Sequence, residues 1–352
     1  MEVLLFVGTD KGAFLYRSDA ARRAWTMEAP IFLGWRVTAS ARAPDGEFLA
    51  ATSSGVYGAA LHRSRDAKEW RQIESGPAYP EQGGKKLTQI WTLETGPGRW
   101  YAGVDTAGLF SSDDRGATWK PFPALNDHPT SASWFPGNGG LCAHRLLIDP
   151  KRPDRLWCGI SAVGVWRSED GGKSWKSKNA GVPVVIEDKE IKEIGFCVHG
   201  MVQDPDRPEH LYRQDHAGMF RSRDGGDSWE RIEKGLPSRF GFPLVMDHAT
   251  KALYCFPLDS DEYRMPRGGK FRVYRSRNGG DSWEPVGQGL PDTPVYASVL
   301  RGAMAADQLD PCGIYVGTTA GAVYASSDRG DSWRALPGTL PRILHVAAYT
   351  GR

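Results

Sequence analysis

The sequence predicts an all-β chain folded as one seven-bladed β-propeller of four-stranded antiparallel blades, with residues 1–352 forming a single domain. Three observations predict it. A turn-like box, S-x-[D/N]-x-G-x-[S/T]-W, recurs complete five times: SDDRGATW from Ser112, SEDGGKSW from Ser168, SRDGGDSW from Ser222, SRNGGDSW from Ser276 and SSDRGDSW from Ser326. Two degenerate copies precede these, RSRDAKEW with Ser64, Asp66 and Trp70, and RSDAARRAW with Ser18 and Trp25. Seven units then occupy about 50 residues each, a period of propeller blades or solenoids. Finally, the chain opens on a second strand, VLLFVGT, and closes on an unpartnered one, RILHVAAYT, from Arg342 to Thr350. Joining that strand to the N-terminal strands completes the first blade and closes the ring, so no sheet edge is left open.

Each unit reads in the same order: an apolar strand ending near DP, a strand such as HLYRQ, a strand such as GMFRS, the box, and a segment such as SWERIEKGLP. These are strands a to d, with the box as the c–d hairpin. There the Asp and Ser side chains can bond backbone N–H groups, Gly permits positive φ, and Trp buries its ring beside the turn. The GGKS at Gly171–Ser174 is not a phosphate-binding loop, since Arg167 stands where that motif needs glycine. Composition agrees with short strands and tight turns, with 42 Gly, 24 Pro and 13 Trp.

Through these repeats the whole chain resembles the Asp-box, or BNR-repeat, propellers, a superfamily of sialidase-like and glycoside-hydrolase-like domains that also includes sortilin-type domains and photosystem assembly factors. The resemblance implies that the boxes are structural and lie away from the catalytic face. It departs from true sialidases, because the early RIP motif is missing, seven units replace six, and no three arginines match their carboxylate-binding triad. The glycoside hydrolases of the superfamily imply a pair of carboxylates at the site, for which Asp105, Asp215 and Glu190 are candidates.

Charge and cysteine content narrow the function. The 44 basic and 42 acidic residues nearly cancel and form no blocks, which gives no support to a nucleic-acid or membrane-surface partner. The start MEVLLFVGTD reads as a strand and not as a secretory signal. Five cysteines without CxxC spacing fit reduced thiols in a cytoplasmic protein.

Antiparallel alternation places the c–d boxes and a–b turns on one face, called lower, and the b–c and d–a loops on the upper face. Three upper loops are long: 126–140, 179–195 and 257–269, with a milder case at 75–86. Long loops on a compact scaffold commonly carry function. Strand a lies nearest the axis, and its upper end carries LCAH with Cys142 and His144, FCVH with Cys197 and His199, and His345. At the top of the next strand, QDHAG supplies Asp215 and His216. If the intervening turn centres on Arg207, His199 faces Asp215 across the hairpin, and the carboxylate could fix the imidazole tautomer. The competing reading is that these Cys and His residues only pack between blades.

The resulting expectation is an enzyme whose upper axial pocket binds a small polar ligand, sugar-like or anionic, and uses acid–base or metal-assisted chemistry. His144, His199, Asp215 and His216 are the catalytic candidates. Gln89, Trp91, Asp105, Trp134, Tyr263, Arg264 and Arg301 are ligand-binding candidates. If a divalent metal ion is the cofactor, His144, His199, His216 and His345 are its expected ligands. Glu187, Asp188, Glu190 and Glu193 are expected on an exposed loop face. The alternative is a non-catalytic module that binds a protein or peptide, for which Trp134 and Phe135 in a long loop are the hint.

Overall fold

The computed structural model describes residues 2–186 and 191–351. Twenty-eight strands form seven four-stranded antiparallel sheets among these residues, each sheet contiguous in sequence except the first. From blade 1 to blade 7 the innermost strands are Ile343–Thr350, Arg36–Arg42, Gln89–Gly96, Ala143–Ile148, Gly200–Gln203, Gly241–Met246 and Met304–Ala306. Blade 1 is closed as predicted: the C-terminal strand pairs with Glu2–Thr9 in a register that sets Val7 opposite Val346 and Val3 opposite Thr350. Its first residue is Ile343, one later than the apolar pattern suggests.

Second strands of the blades are buried along their full length, as at Leu156–Ile160 and Leu253–Pro257, because both faces pack on neighbouring blades. Outermost strands are only two or three residues long, as at Glu230–Arg231 and Glu284–Val286. Short, charged outer edges give other chains little to pair with.

The boxes are turn devices. In all five complete copies the Ser Oγ accepts the Gly N–H at 2.7–2.8 Å, at Gly116, Gly172, Gly226, Gly280 and Gly330. The Asp or Asn Oδ1 accepts the N–H of the residue before Trp at 2.8–3.0 Å. Those five glycines have φ of 85–94°, which only glycine adopts without strain. Three of the tryptophans then reach back one blade: the Trp229, Trp283 and Trp333 backbone amides donate to the carbonyls of Ala180, Lys234 and Gln288. Three box aspartates do the same through arginines, with Asp227 bound by Arg167 at 3.2 Å, Asp281 by Arg221 at 2.9 Å and Asp331 by Arg275 at 2.7 Å. The seam between blades 7 and 1 carries Arg22, whose guanidinium meets Asp307 at 2.8 Å with both side chains buried.

The long loop at 126–140 is packed, not open. Asn126 closes it onto the strand Gly108–Ser112 by accepting the Leu109 N–H and donating to the Leu109 carbonyl. Asn179 starts the next long loop in the same way on Val165. Trp134 is only 7% exposed, lies on Trp166 and donates its indole N–H to Thr130, so it packs in the core of its loop and does not line the axial cavity. The neighbouring Phe135 is exposed. Glu187, Asp188 and Glu190 lie outside the described residues.

Candidate functional site

The upper end of the innermost strands is irregular in a systematic way. In five blades the a–b register slips at the second to fourth residue, leaving Thr38, Trp91, His144 and Leu344 as extra residues in four of them and the Phe242–Pro243 pair in the fifth. A bulge turns consecutive side chains toward one side, where strict alternation would send every second one away. Thr38 with Ala39, Trp91 with Thr92, His144 with Arg145, and Leu344 with His345 therefore all face one axial cavity of 440 Å³. Arg36, Gln89, Asn138, Gly139, Phe242, Arg264 and Arg301 complete its upper wall. A groove of 550 Å³ shares Asp10, Arg36, Gln89, Trp91 and Gly139 with it and adds Asp105 and Lys11 at the mouth.

Glu94 is the deep carboxyl of the cavity, on strand Gln89–Gly96 and half-buried. Burial pushes its pKa up to about 7, with Arg145 pulling the other way. Arg145 donates to the Arg301 carbonyl at 2.5 Å. The Arg301 guanidinium lies 5.3 Å from the Phe242 ring centroid and 5.9 Å from that of Trp91. Five arginines, Arg36, Arg145, Arg264, Arg301 and Arg342, against the carboxyls of Asp10 and Glu94 make the lining cationic. At the mouth, burial raises the Asp105 pKa while the Trp91 indole lowers it.

Both cavity histidines are neutral. His345 accepts the Ser40 N–H on Nε2 at 3.1 Å, which assigns its proton to Nδ1, and burial lowers its pKa to about 3. His144 donates from Nε2 to the Val198 carbonyl at 2.8 Å, and its buried Nδ1 has no hydrogen-bond partner. Burial, Arg301 and Arg145 together hold it well below the usual imidazole range.

Asp215 stands elsewhere. The predicted register holds, with Gly200 opposite Gln214, yet the His199–Asp215 pair does not form. Asp215 is fully buried, binds Arg213 at 3.0 Å and accepts the Ala217 and Gly218 N–H groups. Burial pushes its pKa up to about 6 even though Arg213 pulls the other way, and each of the two buried charges would be costly to leave alone. His199 donates instead from Nδ1 to the Gly241 carbonyl at 2.7 Å. Its ring meets that of His216 at 4.7 Å between centroids, and Cys197 Sγ lies 3.5 Å from its Nε2. The four histidines expected to converge on one ion divide accordingly, with His144 and His345 on the cavity and His199 with His216 beside Cys197.

Arg264 reaches the cavity from its long loop, whereas Tyr263 beside it is 57% exposed and is not part of the lining. Gln89, Trp91 and Arg301 line the cavity. Glu94, Arg145, Arg36 and Arg342 were not anticipated. An alternation count from Gln89 and Trp91 sends Glu94 away from the axis, and only the bulge at Trp91 reverses that parity.

Fold and site together define a closed seven-bladed propeller with a cationic axial cavity over a raised carboxyl. No protein-family profile matches the chain. Part of it is similar to an oligoxyloglucan-reducing end-specific xyloglucanase of Emericella nidulans, 29% identical over 134 residues, 38% of this chain and 15% of that protein. It is also similar to xyloglucanase Xgh74A of Acetivibrio thermocellus, 28% identical over 234 residues, covering 64% of this chain and 22% of the relative. The chain thus spans about a fifth of the length of such relatives. Among solved structures, an ancestral GH74 enzyme superposes with a TM-score of 0.55 at 14% identity, over 86% of this chain and 36% of that one, which is a likeness of fold.

Proposed function

We propose that the protein is an enzyme that binds a small, anionic, sugar-like molecule in the axial cavity and acts on it by acid–base chemistry of the glycoside-hydrolase kind. Glu94 carries the proposal: a carboxyl with pKa about 7, on the wall of a cavity large enough for a small ligand, is poised to give or take a proton at neutral pH. Similarity to xyloglucanases supports the sugar-like part, and the arginines support the anionic part, since guanidinium groups bind carboxylate and phosphate in paired hydrogen bonds. The His345 Nδ1–H and the unpartnered His144 Nδ1 offer one donor and one acceptor for hydroxyl groups.

Asp105 and Glu94 are separated by four rungs of the a–b ladder, since Asp105 faces Gln89 and Tyr101 faces Glu94. Four rungs set the two backbone positions roughly 13 Å apart along the strand, one at the mouth and the other deep in the cavity. Glu94 is therefore assigned the proton transfer, and Asp105 the substrate hydroxyls at the mouth. The box geometry supports a place among Asp-box propellers, and five unpaired thiols support a reducing, cytoplasmic compartment. A peptide-binding role would use the exposed Leu33, Val56 and Tyr57 near the groove but leaves the raised carboxyl without a use.

The test is a turnover screen with aryl glycosides, aryl uronides and sugar phosphates, repeated on folded Glu94→Gln and Arg301→Ala. Glu94→Gln should lower kcat by about 10²–10⁴-fold, and Arg301→Ala should raise KM for the anionic substrates most. Turnover that survives Glu94→Gln at full rate, or a screen in which no compound is bound or converted, rejects the proposal.

A further inference from the structure

Cys197, His199 and His216 form a second cluster beside the cavity, and the proposed acid–base site does not use it. One ligand atom from each lies within 4.8 Å of the other two. We propose that these three side chains bind a zinc-class transition-metal ion in four-coordinate geometry, with the fourth position left to water or a small ligand.

Geometry carries the proposal. In a tetrahedral site with Zn–S of about 2.3 Å and Zn–N of about 2.0–2.1 Å, sulfur and nitrogen ligands stand about 3.6 Å apart. Cys197 Sγ and His199 Nε2 are 3.5 Å apart. The His199 Nδ1–H is committed to the Gly241 carbonyl, which fixes the tautomer with the Nε2 lone pair turned toward Cys197. Such an outer hydrogen bond is the usual companion of a metal-binding imidazole.

His216 adds an independent observation. Both of its ring nitrogens are buried and neither has a hydrogen-bond partner in the structure. A buried polar atom without a partner costs free energy, and an ion at the cluster would satisfy one of the two. Asp261 Oδ2, 4.0 Å from Nε2, is placed to face the other. The rings of Phe240 and Phe242, 5.3 and 4.8 Å from His199 between centroids, wall the cluster. Thiolate and imidazole select borderline to soft ions and disfavour magnesium and calcium, which want oxygen. Binding releases the thiol proton to solvent, so affinity rises with pH.

The rival arrangement is a metal-free S–H···N hydrogen bond from Cys197 to His199. Titrating the chelator-stripped full-length protein with cobalt(II) separates the two. Expected is one equivalent bound per chain, a thiolate-to-cobalt charge-transfer band with the intense d–d bands of a tetrahedral site, and displacement by zinc(II). Cys197→Ser should abolish the charge-transfer band and weaken zinc binding by more than about 100-fold, beyond the 10–100-fold typical of outer-shell changes. His216→Ala should weaken zinc binding as much and decides the matter if Cys197→Ser does not fold. Cys142→Ser, at a buried thiol outside the cluster, should change neither readout. Wild-type protein that takes up no cobalt or zinc, or a folded Cys197→Ser or His216→Ala variant that binds as tightly as wild type, overturns the proposal.

Discussion

Replacing Glu94 by glutamine should make the protein more stable at alkaline pH. The carboxyl has a pKa of about 7 in the folded chain against an ordinary value of 4.5, and burial is the principal cause. A raised carboxyl pKa means that the folded state holds its proton more tightly than the unfolded state. Its destabilising effect is therefore absent below pH 4.5, grows as pH rises through the interval, and is complete above pH 7. A shift of 2.5 pKa units corresponds to about 3 kcal/mol. Glutamine keeps the shape and the hydrogen-bonding capacity of the protonated acid but never ionises. Chemical denaturation at pH 5 and pH 8 reads the difference. The stability advantage of Glu94→Gln should be about 2–3 kcal/mol larger at pH 8 than at pH 5, while turnover is lost at both. An advantage that is the same at the two pH values would mean that Glu94 ionises like a surface carboxylate, and its role as a neutral-pH acid or base would fall with it.

Asp215→Ala should behave oppositely, losing about 3–5 kcal/mol in denaturant melts at neutral pH, because it strands the fully buried Arg213 without its partner. Asp307→Ala should cost a comparable amount by unpairing Arg22 at the seam between blades 7 and 1, and hydrogen exchange should rise first in the strands Glu2–Thr9 and Ile343–Thr350 if that seam opens ahead of the rest. Ser222→Ala in a box should cost about 1–3 kcal/mol by leaving the buried Gly226 N–H without an acceptor, with kcat and KM unchanged; altered kinetics would contradict a purely structural box.

The boxes made the fold legible because their chemistry is local. Ser, Asp and Gly act within five residues, so five copies can be recognised without knowing what they pack against. Blade number follows from counting them together with their two degenerate copies, the two faces from the strand alternation around them, and ring closure from the unpartnered strand Arg342–Thr350. Site residues were harder to read for two physical reasons. One is parity: single extra residues at Trp91 and His144 decide which side chains face the axis, and nothing in TQIWTLE or LCAHRLL marks the slip. The other is competition for partners. His199 and Asp215 are correctly placed across a hairpin, yet Arg213 two residues earlier claims the carboxylate, and the Gly241 carbonyl, from the next blade, claims the imidazole. Pairing across strands limits which groups can meet but not which of several partners wins.

The same bulges explain why one end of the ring can carry chemistry. At the lower face five blades share one turn, in which Ser, Asp or Asn, Gly and Trp recur with little freedom, and the first two keep only part of it. At the upper end of the innermost strands, each extra residue breaks the ladder locally where the strands converge on the axis. The break turns two adjacent side chains inward instead of one, which is how Trp91 with Thr92 and His144 with Arg145 enter a narrow cavity together. Removing one such residue, for example deleting Trp91, would restore strict alternation with Gln89, Thr92 and Glu94 still on the cavity face, and would take away only the Trp91 ring. The blade keeps its ladder while the cavity loses one wall residue, so stability and ligand binding are separable at these positions in a way they are not at the boxes.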